Sequence, residues 1–108
     1  MKRGSIVTVT LQGDYGKPRP ALVVQSDFFD EHPSVTLLPI SSDLRAAPLI
    51  RVDLSPTPDN GLRQRSQIMV DKTVTVKRTR IGEEIGHIAS EELLEVNRRL
   101  AIFLGIAG

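Results

Sequence analysis

Residues 13–27, GDYGKPRPALVVQSD, join a polar turn to a short apolar run. The glycines and prolines mark the first half as a loop, and residues 21–25 form a run typical of a central strand. Each proline restricts the residue before it to extended geometry, so Lys17 and Arg19 extend from a stiff backbone. A guanidinium held in this way suits a phosphate, because its planar fork binds two oxygens. The alternative is a rigid loop in which Arg19 pairs with an acid such as Asp14.

Composition indicates an ordinary globular chain. It has 108 residues, 40% of them apolar and 25% charged, so we expect one domain over residues 1–108 with a modest core. The net charge of +1 does not by itself indicate a nucleic-acid partner, and the lack of cysteine excludes disulfides and thiolate metal sites. No apolar run approaches the roughly 20 residues of a membrane span. Residues 1–4 lead directly into a strand pattern instead of a signal peptide, so we expect a cytoplasmic protein without a membrane partner.

Short apolar and alternating runs predict an antiparallel sheet of five to six strands. Residues 5–11 alternate valine and leucine with threonine, which is typical of a half-buried strand. Residues 27–32 fit a single helical turn. We expect the 35–40 strand to lie at an edge or bulge because it contains Pro39, and to pair with the 49–54 strand through a hairpin across residues 41–48. The full set of predicted strands is 5–11, 21–25, 35–40, 49–54, 66–71 and 73–76.

The C-terminal region instead has helical periodicity. Ser90 fits an N-cap, and the acids that follow it suit the positive end of the helix dipole. Gly105 fits the C-terminal end. The spacing predicts a helix of about 14 residues packed on the sheet, hence an α+β domain with a small, twisted, half-open β-barrel. The predicted apolar face consists of Leu93, Val96, Leu100, Phe103 and Leu104.

Metal and nucleotide chemistry find little support in the sequence. His32 and His87 do not have the spacing of a metal site, and both are expected in exposed loops. The chain also lacks GxxxxGK[ST], GxGxxG and GxSxG motifs. We therefore expect no metal and no cofactor.

Basic residues concentrate between positions 61 and 82, where only Asp71 opposes them. They fit either a solvated hairpin whose charges protect a sheet edge or a surface that follows phosphates. The six residues are Arg63, Arg65, Lys72, Lys77, Arg78 and Arg80.

Two hydroxyls follow an apolar strand in LPISS, residues 38–42. Ser41 or Ser42 fits a cap on a turn, and either also fits a donor to a phosphoryl oxygen.

Four segments, taken in order, resemble the MazF/PemK family of toxins. KRGSIVTVTL, residues 2–11, is similar to the family's opening RGDIV strand. KPRPALVVQSD, residues 17–27, resembles RRPALVVSND and sets Arg19 at the family's active-site arginine. VTLLPISS, residues 35–42, resembles VTVVPLTS and sets Ser41 at the active-site threonine. SQIMVDK, residues 66–72, stands where the family has a glutamine-led strand. Ser66 occupies the place of the family's acidic or polar neighbour before that strand, and Met69 the place of an arginine that often follows.

The resemblance implies an SH3-like barrel with a C-terminal helix, shared by MazF and CcdB toxins, that works as a homodimer. It further implies a metal-independent endoribonuclease that cuts single-stranded mRNA at specific sequences, arrests translation and is held in check by a cognate antitoxin. Arg19 and Ser41 would be catalytic. The implied RNA-binding residues are Tyr15, Lys17, Ser42, Arg63, Arg65, Gln67 and Lys72, with Tyr15 able to stack on a base.

Two other functions stay open from the sequence. CcdB toxins share the fold but poison DNA gyrase by binding and cleave no RNA. Their C-terminal Trp-Gly-Ile compares with Leu104-Gly105-Ile106 here, and this chain has no tryptophan. The other alternative is a family member that binds without cleaving.

Overall fold

The core of the protein is a seven-stranded antiparallel sheet with one C-terminal helix packed against it. The structure, a computed structural model, describes residues 1–11 and 16–107. Short 3₁₀ turns occupy Asp27–Phe29 and Arg78–Arg80. In chain order the main elements are β1 (Ser5–Val9), β2 (Arg19–Val23), β3 (Ser34–Ser41), β4 (Arg51–Leu54), β5 (Ser66–Met69), β6 (Val74–Lys77), β7 (Ile81–His87) and the helix α1 (Ser90–Phe103).

Strand β3 organises the sheet because it pairs with three others. The strands run in the order β4-β5-β3-β2-β1-β7, and β6 also pairs with β3. Along one edge of β3, residues 34–37 pair with β6 and residues 40–41 pair with β5. In the described residues no ladder joins β4 to β7. The α+β fold with a half-open barrel, predicted from the sequence, is therefore confirmed.

The predicted hairpin between the 35–40 and 49–54 strands is wrong. Strand β5 lies between β3 and β4 and pairs with both. The chain after Ser41 does not turn back along β3, because the backbone of Arg45 bonds the side chain of Gln67 on β5. Pro39 is likewise not on an edge strand. It lies where β3 changes partner from β6 to β5, so its missing N–H interrupts neither of those ladders.

Both faces of the sheet are buried, which explains why the central strands read as continuous apolar runs. The first cluster includes Ile6, Leu22 and Leu38 and is covered by α1 through Val96, with Leu93 and Leu100 packed beside it. The second cluster uses the alternate residues of the same strands and is closed by β6, β7 and their flanks. Its members are Val7, Val9, Ala21, Val23, Val35 and Leu37.

Strand β7 was not predicted, because IGEEIGH combines two glycines with acids and little alternation. The glycines are required by close approaches. A Cβ at Gly86 would lie 2.3 Å from the carbonyl oxygen of Asp59, and one at Gly82 would lie 2.5 Å from Thr8 Oγ1. Glycine at these two positions therefore lets β1 and the 55–61 segment pack closely against β7.

The helix has the predicted length, but its ends differ from the prediction in detail. Ser90 is the first helical residue, not the N-cap, and Glu92 Oε1 accepts the N–H of Ala89 at 2.9 Å. Leu104 is the C-cap, and Gly105 follows it with φ +73°, a conformation that favours glycine. Within the described residues, neither α1 nor any other helix has the length and apolarity needed to cross a membrane.

Candidate active site

A row of residues crosses the sheet at the end where the predicted catalytic residues Arg19 and Ser41 lie. Backbone pairing aligns Ser41 with Gln67 and Gln67 with Asp53. Between β2 and β3 the paired register ends with Ala21 opposite Pro39, and each strand runs two residues further, to Arg19 and to Ser41. Residues two apart on a strand share a face, so Arg19 and Ser41 lie on the same face of the sheet at the ends of neighbouring strands.

Arg19 is the first residue of β2. The sequence predicts a loop at this position, and that prediction is wrong. Its backbone pairs with Val9, and Pro20 pairs with Thr8. A proline near the start of a strand costs few ladder bonds. Arg19 and the preceding Lys17 are both exposed. Asp14 and Tyr15 lie outside the described residues, so their proposed pairing and stacking stay predictions.

Ser41 ends β3 and begins a short hydrogen-bonded turn. Its Oγ accepts the N–H of Asp43 at 3.0 Å, so it does cap a turn. Accepting that bond leaves the hydroxyl proton able to be donated to a ligand. Ser42 beside it is exposed. The two alternatives considered for Ser41, turn capping and phosphate binding, are thus compatible.

An ion pair stabilises the turn that follows Ser41. Arg45 donates from Nη2 and Nε to Asp43 Oδ2 at 2.7 and 3.2 Å. The hydrogen bond from Arg45, and then its charge, lower the pKa of Asp43. Arg51 Nη1 donates to the carbonyl oxygen of Asp43 at 2.9 Å. The segment therefore keeps a carboxylate at neutral pH and holds it in an internal pair.

Gln67 lies beneath this segment and is only 7% exposed. Its Oε1 accepts from the Arg45 backbone N–H and from Arg51 Nη1, at 2.9 and 3.0 Å. Its Nε2 donates to the Arg45 carbonyl oxygen and to Asp53 Oδ1, at 3.0 and 2.8 Å. All four bonds are internal, and the predicted contact of Gln67 with RNA stays a prediction.

The basic residues between positions 61 and 82 do not form one continuous strip. Arg63 and Arg65 are exposed in the segment before β5, on the Gln67 side of that strand. Lys72 lies past its other end, with Nζ 3.8 Å from Asp71 Oδ2. Lys77 pairs with Ser34 at the far end of β3 from Ser41. The basic residues are therefore divided between separate parts of the sheet.

A cavity of about 430 Å³ opens beside Gln67, between the 45–51 segment and α1. Arginines contribute on the loop side and Glu91, Glu92 and Glu95 on the helix side. Arg99 bridges the two walls, because it donates to the Pro48 carbonyl oxygen and pairs with Glu95. Sequence reasoning missed this cavity, since it treated the glutamates only as partners of the helix dipole.

Neither histidine contributes to the row. His32 and His87 are exposed, as predicted, but His87 is the last residue of β7 and not in a loop. In the described part of the chain, no three or more His, Cys, Asp or Glu side chains are grouped so as to hold a metal ion.

Comparisons with known proteins find a matching family model and a full-length relative. A family model described as "PemK-like, MazF-like toxin of type II toxin-antitoxin system" matches residues 2–104. A Mycolicibacterium smegmatis protein named "Probable endoribonuclease MazF" is 43% identical over 109 aligned residues, which cover the whole of both chains.

Solved structures share the fold at lower identity. The Mycobacterium tuberculosis toxin MazF-mt6 has a TM-score of 0.82 at 23% identity and covers 96% of this chain and 99% of its own. A mycobacterial endoribonuclease in complex with its cognate antitoxin has a TM-score of 0.84 at 21% identity, covering 100% and 98%. A Deinococcus radiodurans MazE-MazF structure has a TM-score of 0.79 at 23% identity, covering 99% and 97%.

Proposed function

The chain belongs to the PemK-like, MazF-like toxins of type II toxin-antitoxin systems, and on that premise we propose that it is an endoribonuclease. It cleaves single-stranded mRNA at specific sequences and so inhibits translation. The observation that supports the proposal is that Arg19 and Ser41 lie at the ends of neighbouring strands, on one face of the sheet. The full-length relative at 43% identity, named a probable endoribonuclease, supports the same activity.

Arg19 and Ser41 suit a reaction in which the RNA supplies its own nucleophile. The 2′-oxygen attacks the adjacent phosphorus, the O2′–P bond forms and the P–O5′ bond breaks. The 2′-hydroxyl loses a proton to solvent, and the departing 5′-oxygen takes one up. Arg19 stabilises the charge on the phosphoryl oxygens, and Ser41 donates its hydroxyl proton to one of them. The products are a 2′,3′-cyclic phosphate and a 5′-hydroxyl, and no step calls for a metal.

Exposed side chains near the row would hold the rest of the RNA. Lys17 and Ser42 flank the two catalytic residues along the chain, and Arg63 and Arg65 precede β5. Cations at these positions fit phosphates on either side of the cut. Tyr15 is proposed to stack on an unpaired base. Lys72 is exposed and completes this set. Gln67, which the family resemblance also implies, is buried.

The active species is proposed to be a homodimer that works in the cytoplasm. The end of α1 and the residues after it expose an apolar surface, with Phe103 48% and Ile106 76% exposed. A second copy would cover this surface and bring two Arg19–Ser41 rows to one RNA. A cognate antitoxin would inhibit by binding an acidic, initially disordered segment across the surface that the two copies present to the RNA.

The gyrase-binding alternative is not favoured. The matching family model is that of PemK-like and MazF-like toxins. The segment that follows the helix, Leu104-Gly105-Ile106, also lacks the tryptophan that would anchor such a contact.

Incubating the protein with a long RNA in EDTA, with and without the Arg19→Ala substitution, tests the proposal. We expect discrete cuts by the unsubstituted protein, with 2′,3′-cyclic or 3′ phosphate ends, and none by the variant. Activity that vanishes in EDTA and returns with a divalent ion would contradict the mechanism. RNA binding without any cleavage would instead identify a binding module.

A further inference from the structure

The side-chain amide of Gln67 extends the backbone hydrogen bonding of the sheet to Arg45. Its Oε1 accepts the N–H of Arg45 at 2.9 Å and its Nε2 donates to the Arg45 carbonyl oxygen at 3.0 Å. The amide therefore pairs with the backbone of Arg45 as a neighbouring strand would. Gln67 is 7% exposed, so losing these bonds would leave buried polar groups without partners.

The orientation of this amide is fixed by its two charged neighbours. The carboxylate of Asp53 can only accept, and Nε2 donates to it at 2.8 Å. The guanidinium of Arg51 can only donate, and its Nη1 bonds Oε1 at 3.0 Å. In a flipped amide, Nε2 would face the donor Arg51 and Oε1 would face the acceptor Asp53. The amide therefore presents Oε1 to the N–H of Arg45 and Nε2 to its carbonyl oxygen.

A short chain of hydrogen bonds links Gln67 to the hydroxyl of Ser41. The nitrogen of Arg51 that bonds Gln67 also donates to the carbonyl oxygen of Asp43 at 2.9 Å. The N–H of Asp43 then donates to Ser41 Oγ at 3.0 Å. Gln67 thus holds the segment after Ser41 at Arg45 directly and at Asp43 through Arg51.

We propose that Gln67 is a positioning residue for the cleavage reaction. It fixes the 43–51 segment, and through Asp43 it fixes the direction in which Ser41 presents its proton to the phosphate. The inference rests on the proposed function, because it assigns Gln67 a part in the chemistry of Ser41. It also separates two roles for Gln67: a direct RNA contact acts mainly on KM, whereas a positioning residue acts on kcat.

Gln25 provides a matched control at the opposite end of β3. Its Nε2 donates to the carbonyl oxygens of Ser34 and Phe29, at 3.0 and 3.1 Å. Its Oε1 accepts the N–H of Thr36 at 3.0 Å. Gln25→Leu therefore removes a comparable set of side-chain-to-backbone bonds but leaves the Ser41 turn untouched.

The experiment compares Gln67→Leu, Gln67→Glu and Gln25→Leu with the unsubstituted protein on a single-stranded RNA that the latter cuts. Misplacing a catalytic group costs up to about 10²-fold, so we expect both Gln67 variants to lose about 10- to 100-fold in kcat with KM little changed. Gln25→Leu should keep both constants. An unchanged kcat, or a rise in KM alone, in the Gln67 variants would overturn the proposal.

Amide hydrogen exchange tests the same idea without any activity. Exchange at Asp43 and Arg45 should quicken by about 10-fold or more in Gln67→Leu and stay unchanged in Gln25→Leu. Equal exchange in the two variants would contradict the positioning role. If the unsubstituted protein cuts no RNA, the proposed function fails, while exchange still decides whether Gln67 holds the segment. If Gln67→Leu does not fold, Gln67→Glu carries both tests, because it keeps the size and the acceptors but not the donor.

Discussion

Arg99 of α1 donates from Nε to the carbonyl oxygen of Pro48 at 2.7 Å, so the helix is fastened to the segment that follows Ser41. The same side chain pairs with Glu95 one turn earlier and is only 25% exposed. The cavity beside Gln67 therefore has a polar bridge across it. Because the bridge joins the helix to the active-site segment, its loss should lower the stability of both.

Arg99→Ala should lower the free energy of unfolding by about 1.5 kcal/mol, the scale of a hydrogen bond to a charged group. Arg98→Ala is the control, because Arg98 is 61% exposed and, within residues 1–11 and 16–107, bonds only Glu95. An exposed pair of that kind contributes at most about 1 kcal/mol, and usually less. Urea unfolding measures both. Equal losses in the two variants would show that the Pro48 contact adds nothing.

Glu95 should make the stability of α1 depend on acidic pH. The hydrogen bond from Arg99 lowers the pKa of Glu95 below its ordinary value of 4.5. A lowered carboxyl pKa means that the stabilisation is complete above the ordinary value and is lost as pH falls through the lowered one. Thermal unfolding of the unsubstituted protein and Glu95→Gln should therefore differ at pH 7 and converge in acid. A constant difference across that range would contradict the assignment.

Arg19 and Lys17 should separate catalysis from binding. Arg19→Ala should reduce the rate of cleavage at least about 10²-fold, as expected when one preorganised donor is lost. Lys17→Ala should mainly weaken binding and reduce the slope of log K against log salt by about 0.7, the value for one phosphate contact on a single strand. Single-turnover cleavage and salt titrations measure the two effects. If both variants bind weakly yet cleave at the full rate, Arg19 is a binding residue.

Ser41 should be replaceable only by another hydroxyl. Ser41→Ala removes both the proposed donor to the phosphate and the acceptor for Asp43, and should cost about 10²-fold in kcat. Ser41→Thr keeps the hydroxyl and should retain most of the activity. Ser42→Ala should change KM more than kcat, because Ser42 is proposed only to bind. Full activity in Ser41→Ala would remove Ser41 from the mechanism.

The apolar end of α1 should mediate self-association. Phe103→Ser and Ile106→Ser remove exposed apolar surface and should shift the protein from dimer to monomer in sedimentation at micromolar concentration. Phe28→Ser is the control, because Phe28 is 87% exposed in the 3₁₀ turn after β2. A monomer that cleaves RNA at the full rate would contradict the proposal that the homodimer is the active species.

Local patterns predicted the elements better than their arrangement. The alternation in β1 and the 3.6-residue period of α1 are local, so both were found within two residues of their bounds. The position of β5 between β3 and β4 depends on pairings between distant segments, and a hairpin was wrongly expected instead. The resemblance to a toxin family, rather than any local pattern, brought Arg19 and Ser41 together.

The network around Gln67 shows why the rest of the site was not predictable. Arg45 and Gln67 are 22 residues apart in the chain, and their bonds leave no periodicity for a sequence to reveal. Gln67 appeared to be one more polar residue in an RNA-binding strand. Only its burial and its four hydrogen bonds, to Arg45, Arg51 and Asp53, identify what it holds.

The three-partner strand β3 has a consequence for when the protein becomes harmful to the cell that makes it. β3 obtains β5 and β6 only once the chain has been synthesised beyond Lys77, and β1 obtains β7 only beyond His87. The first cluster is covered last, when α1 emerges. Contacts between distant segments must await the later one. A ribosome that stalls or releases the chain early thus yields a fragment without a complete sheet. Folded toxin can therefore act on mRNA only after its own synthesis has ended.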